Sequence, residues 1–424
     1  MKTISISRAA LTRVCIMFSA TLSMTALFVP AASLHGQETW TQWGGDNGRG
    51  FSVPDVKLAE KPTLEENWKR DLGSGYSGIL VEDDRLYTHY REGNEEVVIS
   101  LNATDGETVW QHRYDATLPE DANTGFGEGP NSTSMIIGDR LVSIGFLGDM
   151  KCFDKATGHV HWETSLVKDH GSTELGFGYS ASPLEYDGNI IVPIGGKGKT
   201  LMAFSVKDGS VVWSSLDYSI SYATPLLVSV DGIDQMILSL TDSVIGVNAR
   251  DGKELWSFPL KNQWDTHAFV PVWDERKDEL FISSFRQSHT LKLTRDGDAM
   301  KFEPKWAIEK IGIGFTNAVR LGDVIYGTTG GSRAPLVTAF DLNKGEVLWK
   351  ERGFGITNLV ATGDRLMLLD EKGNLAIANP TDESLNVIFQ EKVLDSEKGW
   401  TFPTVVEGTL FVRNQKQIAS FQLK

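Results

Sequence analysis

The chain has 424 residues, of which 41% are apolar and 23% charged, a balance ordinary for a soluble globular protein. Its net charge of −15 argues against nucleic acid and anionic membranes as partners. Two cysteines are too few for a disulfide-stapled scaffold.

The first 36 residues stand apart. Lys2, Arg8 and Arg13 precede an apolar run from Val14 to Val29, and Ala31-Ala32-Ser33 leads into polar sequence at Gln37. This order reads as a secretory signal peptide over residues 1–36, cleaved after Ser33 or Gly36; a retained anchor is the competing reading. Cys15 lies at the start of the apolar run, where a lipid-attachment cysteine would not be. The leader holds three of the 41 basic residues and none of the 56 acidic ones, so the remainder carries −18 and keeps Cys152 as its one cysteine. The expectation is a periplasmic or secreted monomer that does not insert into the membrane.

Residues 37–63 form an N-terminal extension. Residues 64–424 are periodic. Five stretches carry Asp, Asn or Ser, then Gly four residues on, then Trp four further: Asn102/Gly106/Trp110, Asp154/Gly158/Trp162, Ser205/Gly209/Trp213, Asn248/Gly252/Trp256 and Asp341/Gly345/Trp349. The Trp-to-Trp steps are 52, 51, 43 and 93 residues, and Trp306 divides the last into 50 and 43. A repeat of this length with four short strands per unit predicts an all-β, eight-bladed β-propeller of four-stranded antiparallel blades.

One unit shows the grammar. Ser180–Tyr186 is a strand closed by Asp187-Gly188, followed by Asn189–Ile194, Leu201–Ser205 and, after Asp208-Gly209, Val211–Ser215. Short apolar runs bounded by Asp-Gly are hairpin signals. Blades are expected over 77–114, 129–166, 178–216, 221–260, 266–308, 314–352 and 356–391. The fifth carries extra residues before Trp306, and Phe389 replaces the Trp of the seventh. Residues 400–424 supply only three strands, while Leu64–Arg70 is a lone strand of the fourth type with Trp68. Pairing these ends completes an eighth blade and removes open sheet edges.

Trp68, Trp110, Trp162, Trp213, Trp256, Trp306 and Trp349 are expected to pack between blades, against Gly-containing turns, where burying an indole stabilises by a few kcal/mol. Asp154 and Asp341 precede turns and can accept backbone N–H bonds. His159 and His161 alternate on one strand, with nothing nearby to complete a zinc set. No HExxH, P-loop, GxSxG or Cys-pair motif is present, and no metal site is expected.

The candidate binding surface is the channel mouth, where first strands begin. These starts hold Tyr76, Asn131, Tyr179, Tyr222, His267, Asn317, Asn358 and Trp400, and neighbouring loops add Arg286 and Arg333, with Lys197, Gln287 and His289. They read either as ligand contacts, the cations drawing an anionic group, or as partners of strand-end backbone and channel water. The connector Leu118–Gly129 is long enough to fold over one face.

CFDKATGHVHW and AFDLNKGEVLW resemble the pyrroloquinoline-quinone (PQQ)-type propeller repeat, Ala-x-Asp-x-x-Thr-Gly-x-x-x-Trp. The opening WTQWGGDNGRGFS (Trp40–Ser52) resembles the start of secreted bacterial proteins with PQQ-like repeats, as do GEGPNSTSMIIGDRL and GYSASPLEYDGNIIVPIGG. The resemblance covers residues 40–424 and implies one of two functions. The non-catalytic branch includes the scaffold lipoprotein of the outer-membrane β-barrel assembly machine, similar in length and eight-bladed, whose lipid-attachment cysteine this chain lacks. The catalytic branch comprises quinoprotein dehydrogenases with PQQ, Ca²⁺ and often a vicinal Cys pair, absent here. The chain is thus expected to be a scaffold without cofactor, binding an envelope protein or small ligand at the channel mouth. The alternative is a PQQ- and Ca²⁺-dependent oxidoreductase.

Overall fold

The turn pairs close tight hairpins. Asp187 and Gly188 have φ of 50° and 73°, and Asp231 and Gly232 have 47° and 79°, the two left-handed positions that a type I′ hairpin requires. Such hairpins stack into eight antiparallel blades in this computed structural model, which describes residues 38–46, 50–395 and 397–424. The protein is an eight-bladed β-propeller. The proposed signal peptide lies outside the described residues. Among those described, no helix is long and apolar enough to cross a membrane.

Seven blades draw their four antiparallel strands from one continuous stretch of sequence. The first comprises Leu80–Glu82, Arg85–Glu92, Glu95–Asn102 and Thr108–Asp115. The eighth is composite. Leu64–Asp71 pairs antiparallel with Gln417–Leu423, from Leu64↔Leu423 to Asp71↔Gln417, beside Thr409–Arg413 and Thr404–Val406. The two chain ends thus close the ring as expected. Inner strands are almost wholly buried, and outer strands alternate, as a stack of sheets requires. Cys152 is buried in this core, and burial pushes its thiol up to about 12, which leaves it unreactive.

Five of the repeat tryptophans bridge blades. The indole N–H of Trp68, Trp110, Trp162, Trp306 and Trp349 donates to a carbonyl of the next blade: Ala103 (2.9 Å), Lys155 (2.9 Å), Val206 (3.0 Å), Leu342 (2.7 Å) and Thr381 (2.8 Å). Each of the first four lies flat on the repeat glycine; a Cβ on Gly158 would sit 2.5 Å from Trp110. Two differ. Trp256 donates within its own blade to Gln235 (2.7 Å) and packs on Phe302. The extra residues of the fifth blade explain this, because they lengthen its outer hairpin to Gln287–Asp296 and Ala299–Glu309. Trp213 packs on Gly252 of the next blade, but its indole N–H makes no hydrogen bond among the described residues, and the ring borders an open cleft with Tyr186, Asn189 and Arg250.

The extension packs on the ring. Trp40 exchanges backbone hydrogen bonds with Val81, and Thr41 accepts from Ile136. Ser52–Val53 then pairs in parallel with Ala361–Thr362 as a fifth strand of the seventh blade. These contacts lie at the far ends of the first strands, so the segment covers part of the channel end opposite the mouth. Trp40, Trp43 and Phe51 cluster with Phe402. The rest of that end, beside the fourth to sixth blades, remains a groove of 650 Å³.

Candidate functional site

The polar residues at the strand starts stitch neighbouring blades together. Gly78 N–H donates to Thr133 Oγ1 (2.9 Å), Thr133 N–H to Ser182 Oγ (3.0 Å), and Ser182 N–H to Thr224 Oγ1 (2.9 Å). Asn131 Nδ2 donates to Phe177 O (2.9 Å), and Asn358 Nδ2 to Trp400 O (2.6 Å). Asn317 uses both ends of its amide on Leu359, at 2.7 and 2.9 Å. Backbone groups at a ring's inner edge need such partners, since an unpaired buried N–H or C=O is destabilising.

Above this polar wall lies an aromatic roof. Phe126, carried by the Leu118–Gly129 connector, reaches Phe177 (4.8 Å between centroids), Trp400 (5.7 Å) and Phe315 (5.9 Å). Trp400 stacks on Tyr76 at 5.3 Å. Phe285 and Trp264 continue the row outward from Phe315. The connector therefore folds over the mouth, as its length suggested. Beneath it is a cavity of 210 Å³ with Trp43 and Phe402 among its lining residues, smaller than the about 300–1,000 Å³ usual for drug-sized ligands.

The connector is held at both ends by a buried ion pair. Arg91 donates to Ala116 O (2.8 Å) and Glu128 O (2.9 Å), and its Nη2 meets Glu96 at 3.0 Å. Glu96 also accepts from Tyr114 O–H (2.6 Å) and Phe146 N–H (3.0 Å). Burial opposes its ionisation, but His89, Tyr114 and the Phe146 N–H outweigh that and hold its carboxyl at about 2. A carboxylate with this many donors stays charged in the interior.

Six of the predicted residues line the cavity together: Tyr76, Asn131, Tyr222, Asn317, Asn358 and Trp400. Tyr179 and His267 lie inside the wall instead. Tyr179 donates to Pro193 O at 2.7 Å, and His267 Nε2 sits 2.8 Å from Leu260 O. Burial raises the Tyr179 phenol and lowers the His267 imidazole. Arg286 and Arg333 are exposed in second-to-third-strand loops of the fifth and sixth blades, on the mouth side but outside the cavity lining. His161 meets Arg140. Among the described residues no cluster of three His, Cys, Asp or Glu is placed to hold a metal ion.

Phe126, Phe177, Trp264, Phe285 and Lys398 also belong to the mouth but are not among the residues expected there. A signal for two of them was present: Gly125-Phe126-Gly127 and Gly176-Phe177-Gly178 repeat one Gly-Phe-Gly pattern in consecutive connectors. Gly127 and Gly178 take φ of 120° and 77°, conformations open chiefly to glycine. They turn the intervening rings over the channel.

A family model described as outer membrane protein assembly factor BamB matches residues 35–178 and 94–351. The chain belongs to this family. The overlap of the two matches reflects a repeat that aligns with itself in more than one register. No curated protein sequence matches the chain. Among solved structures, BamB from Moraxella catarrhalis is 18% identical with a TM-score of 0.60, over 85% of this chain and 98% of that one. A europium-containing methanol dehydrogenase is 11% identical with a TM-score of 0.69, over 92% and 98%. A computationally designed protein, Ika8, is 10% identical with a TM-score of 0.55, over 84% and 99%. At such identities these likenesses establish the propeller fold and no activity.

The BamB-family propeller can be tested against the cofactor pair of the alternative reading. Ca²⁺ takes six to eight oxygens, carboxylates prominent among them. No Asp or Glu is among the described residues lining the cavity, and the amide oxygens of Asn317 and Asn358 already accept from Leu359 N–H and Asn317 N–H. This lining supplies no carboxylate to hold Ca²⁺ beside a quinone.

Proposed function

We propose that this BamB-family propeller is a non-catalytic scaffold of the cell envelope, acting in the periplasm, that docks a protein partner on its channel-mouth face. One observation carries the reading. Trp264 and Phe315 are 55% and 37% exposed and belong to one continuous aromatic row at the mouth. Exposed aromatic clusters on a rigid frame are what interfaces use as anchors, and the ring holds them without an ordering penalty. The name of the matched family, an outer membrane assembly factor, supports an envelope protein as the partner.

Site-specific photo-crosslinking in the native envelope tests this. A crosslinker at Trp264 should yield one discrete protein adduct, and one at Val212, exposed on an outer strand, should yield none. Adducts at Val212 alone, or at neither position, would refute the mouth as the docking face. The competing reading is a PQQ- and Ca²⁺-dependent oxidoreductase, with which the chain shares a fold through methanol dehydrogenase. Stoichiometric quinone uptake with dye-linked turnover by the purified chain would establish it and displace the first.

A further inference from the structure

The aromatic roof already carries a cation. Lys398 Nζ lies 4.1 Å from the Trp400 ring centroid and 5.7 Å from that of Phe126. Both distances are within the about 6 Å over which a ring face attracts positive charge. Lys398 makes no ion pair and no hydrogen bond among the described residues; the rings are what hold it. A primary ammonium brings three N–H donors, and an aromatic face satisfies none of them fully. A quaternary ammonium brings no donors, is weakly hydrated, and loses little on leaving water for such a surface.

The platform is rigid. Trp400 is backed by Tyr76 at 5.3 Å, and its indole N–H donates to Glu371 Oε2 at 3.1 Å. That carboxylate adds electron density to the indole and negative potential beside it. Tyr76 O–H donates to Phe126 O at 2.6 Å and fixes the second ring. Phe315 completes a triangle of centroids with sides of 5.7, 5.9 and 6.4 Å, a spacing at which one methylated ammonium can touch more than one ring. The net charge of −15 favours cations at longer range. Nearby Glu397 is taken up by Lys416 (2.6 Å).

We propose that Trp400, Phe126 and Phe315 form a binding platform for a quaternary ammonium group, which displaces Lys398 from the rings. The inference deepens the reading of the mouth as the binding face and rests on it. The group could be a free solute such as choline or the headgroup of phosphatidylcholine; the chemistry recognised is the same.

Calorimetric titration of the full mature chain with choline and with its uncharged isostere 3,3-dimethylbutan-1-ol tests the idea. Choline should bind about 2- to 30-fold more tightly than the alcohol, the range a cation–π contact supplies. Lys398→Ala should tighten choline binding, because it removes the resident competitor. Trp400→Leu should abolish the preference for choline, with circular dichroism confirming its fold; if it misfolds, the Lys398→Ala result decides alone. Equal binding of choline and alcohol, no binding of choline, or a Lys398→Ala chain that binds choline no better would overturn the proposal. Vesicles of phosphatidylcholine that sediment the protein in a Trp400-dependent manner identify the source as lipid, and choline binding without sedimentation identifies a solute. The Trp264 crosslink is scored in parallel. An adduct without choline binding sinks only the cation platform, whereas choline binding without an adduct sinks only the scaffold reading.

Discussion

Trp68 closes the ring, and its removal should be the most damaging of the repeat-tryptophan changes. The side chain is 9% exposed, lies on Gly106 of the first blade and donates its indole N–H to Ala103 O at 2.9 Å. Trp68→Ala loses about 3–5 kcal/mol for the buried ring and its cavity, together with a hydrogen bond worth about 1 kcal/mol. That is a large share of the about 5–15 kcal/mol that stabilises a typical domain. Trp213 is the internal comparison. It is only half-buried, has no acceptor for its N–H and borders a cleft, so Trp213→Ala should lose about 1–2 kcal/mol. Trp68→Phe, which keeps most of the packing, should lose about 1–2 kcal/mol. Guanidinium unfolding followed by far-ultraviolet circular dichroism measures all three. If Trp213→Ala is as destabilising as Trp68→Ala, the assignment of the first as the closing dock and the second as a loose one is wrong.

Three further outcomes follow from the geometry. Gly158→Ala forces a Cβ to within 2.5 Å of Trp110 at φ of 74°, so it should lower stability by about 2–4 kcal/mol, whereas Gly188→Ala, with open space around it, should lose about 1–2 kcal/mol; thermal melts separate them. Asn317→Ala removes two buried hydrogen bonds to Leu359 and should lower the unfolding free energy by about 2–3 kcal/mol, with Asn317→Ser as a partial rescue. Glu96 has a folded-state carboxyl depressed from 4.5 to about 2, so its stabilisation is complete above pH 4.5 and lost as pH falls towards 2. It amounts to about 3 kcal/mol, and Glu96→Gln should flatten stability against pH in that window; an unchanged acid limb would show that other carboxylates govern it.

The architecture was legible because its determinants are local. A strand, an Asp-Gly turn and a docking Trp are each specified within about ten residues, and eight repetitions leave little freedom. The two unmatched ends, at Trp68 and Lys424, even disclosed how the ring closes. Trp256 and Trp213 were read like their siblings, and only packing separates them: the long hairpin ending in Ala299–Glu309 belongs to the neighbouring blade, and repeat spacing does not reveal which wall it leans on.

The mouth was legible in part. The sequence placed polar and aromatic residues at the strand starts, because strand order follows from the repeat. It did not say which would face a ligand. Asn131, Asn317 and Asn358 are spent on neighbouring blades, while Phe126, Phe315 and Trp400, distant in sequence, meet over the channel. Propensity and period are properties of short segments, and they determined the eight closed blades. A binding surface is the sum of side chains brought together across blades, and that only the closed ring decided.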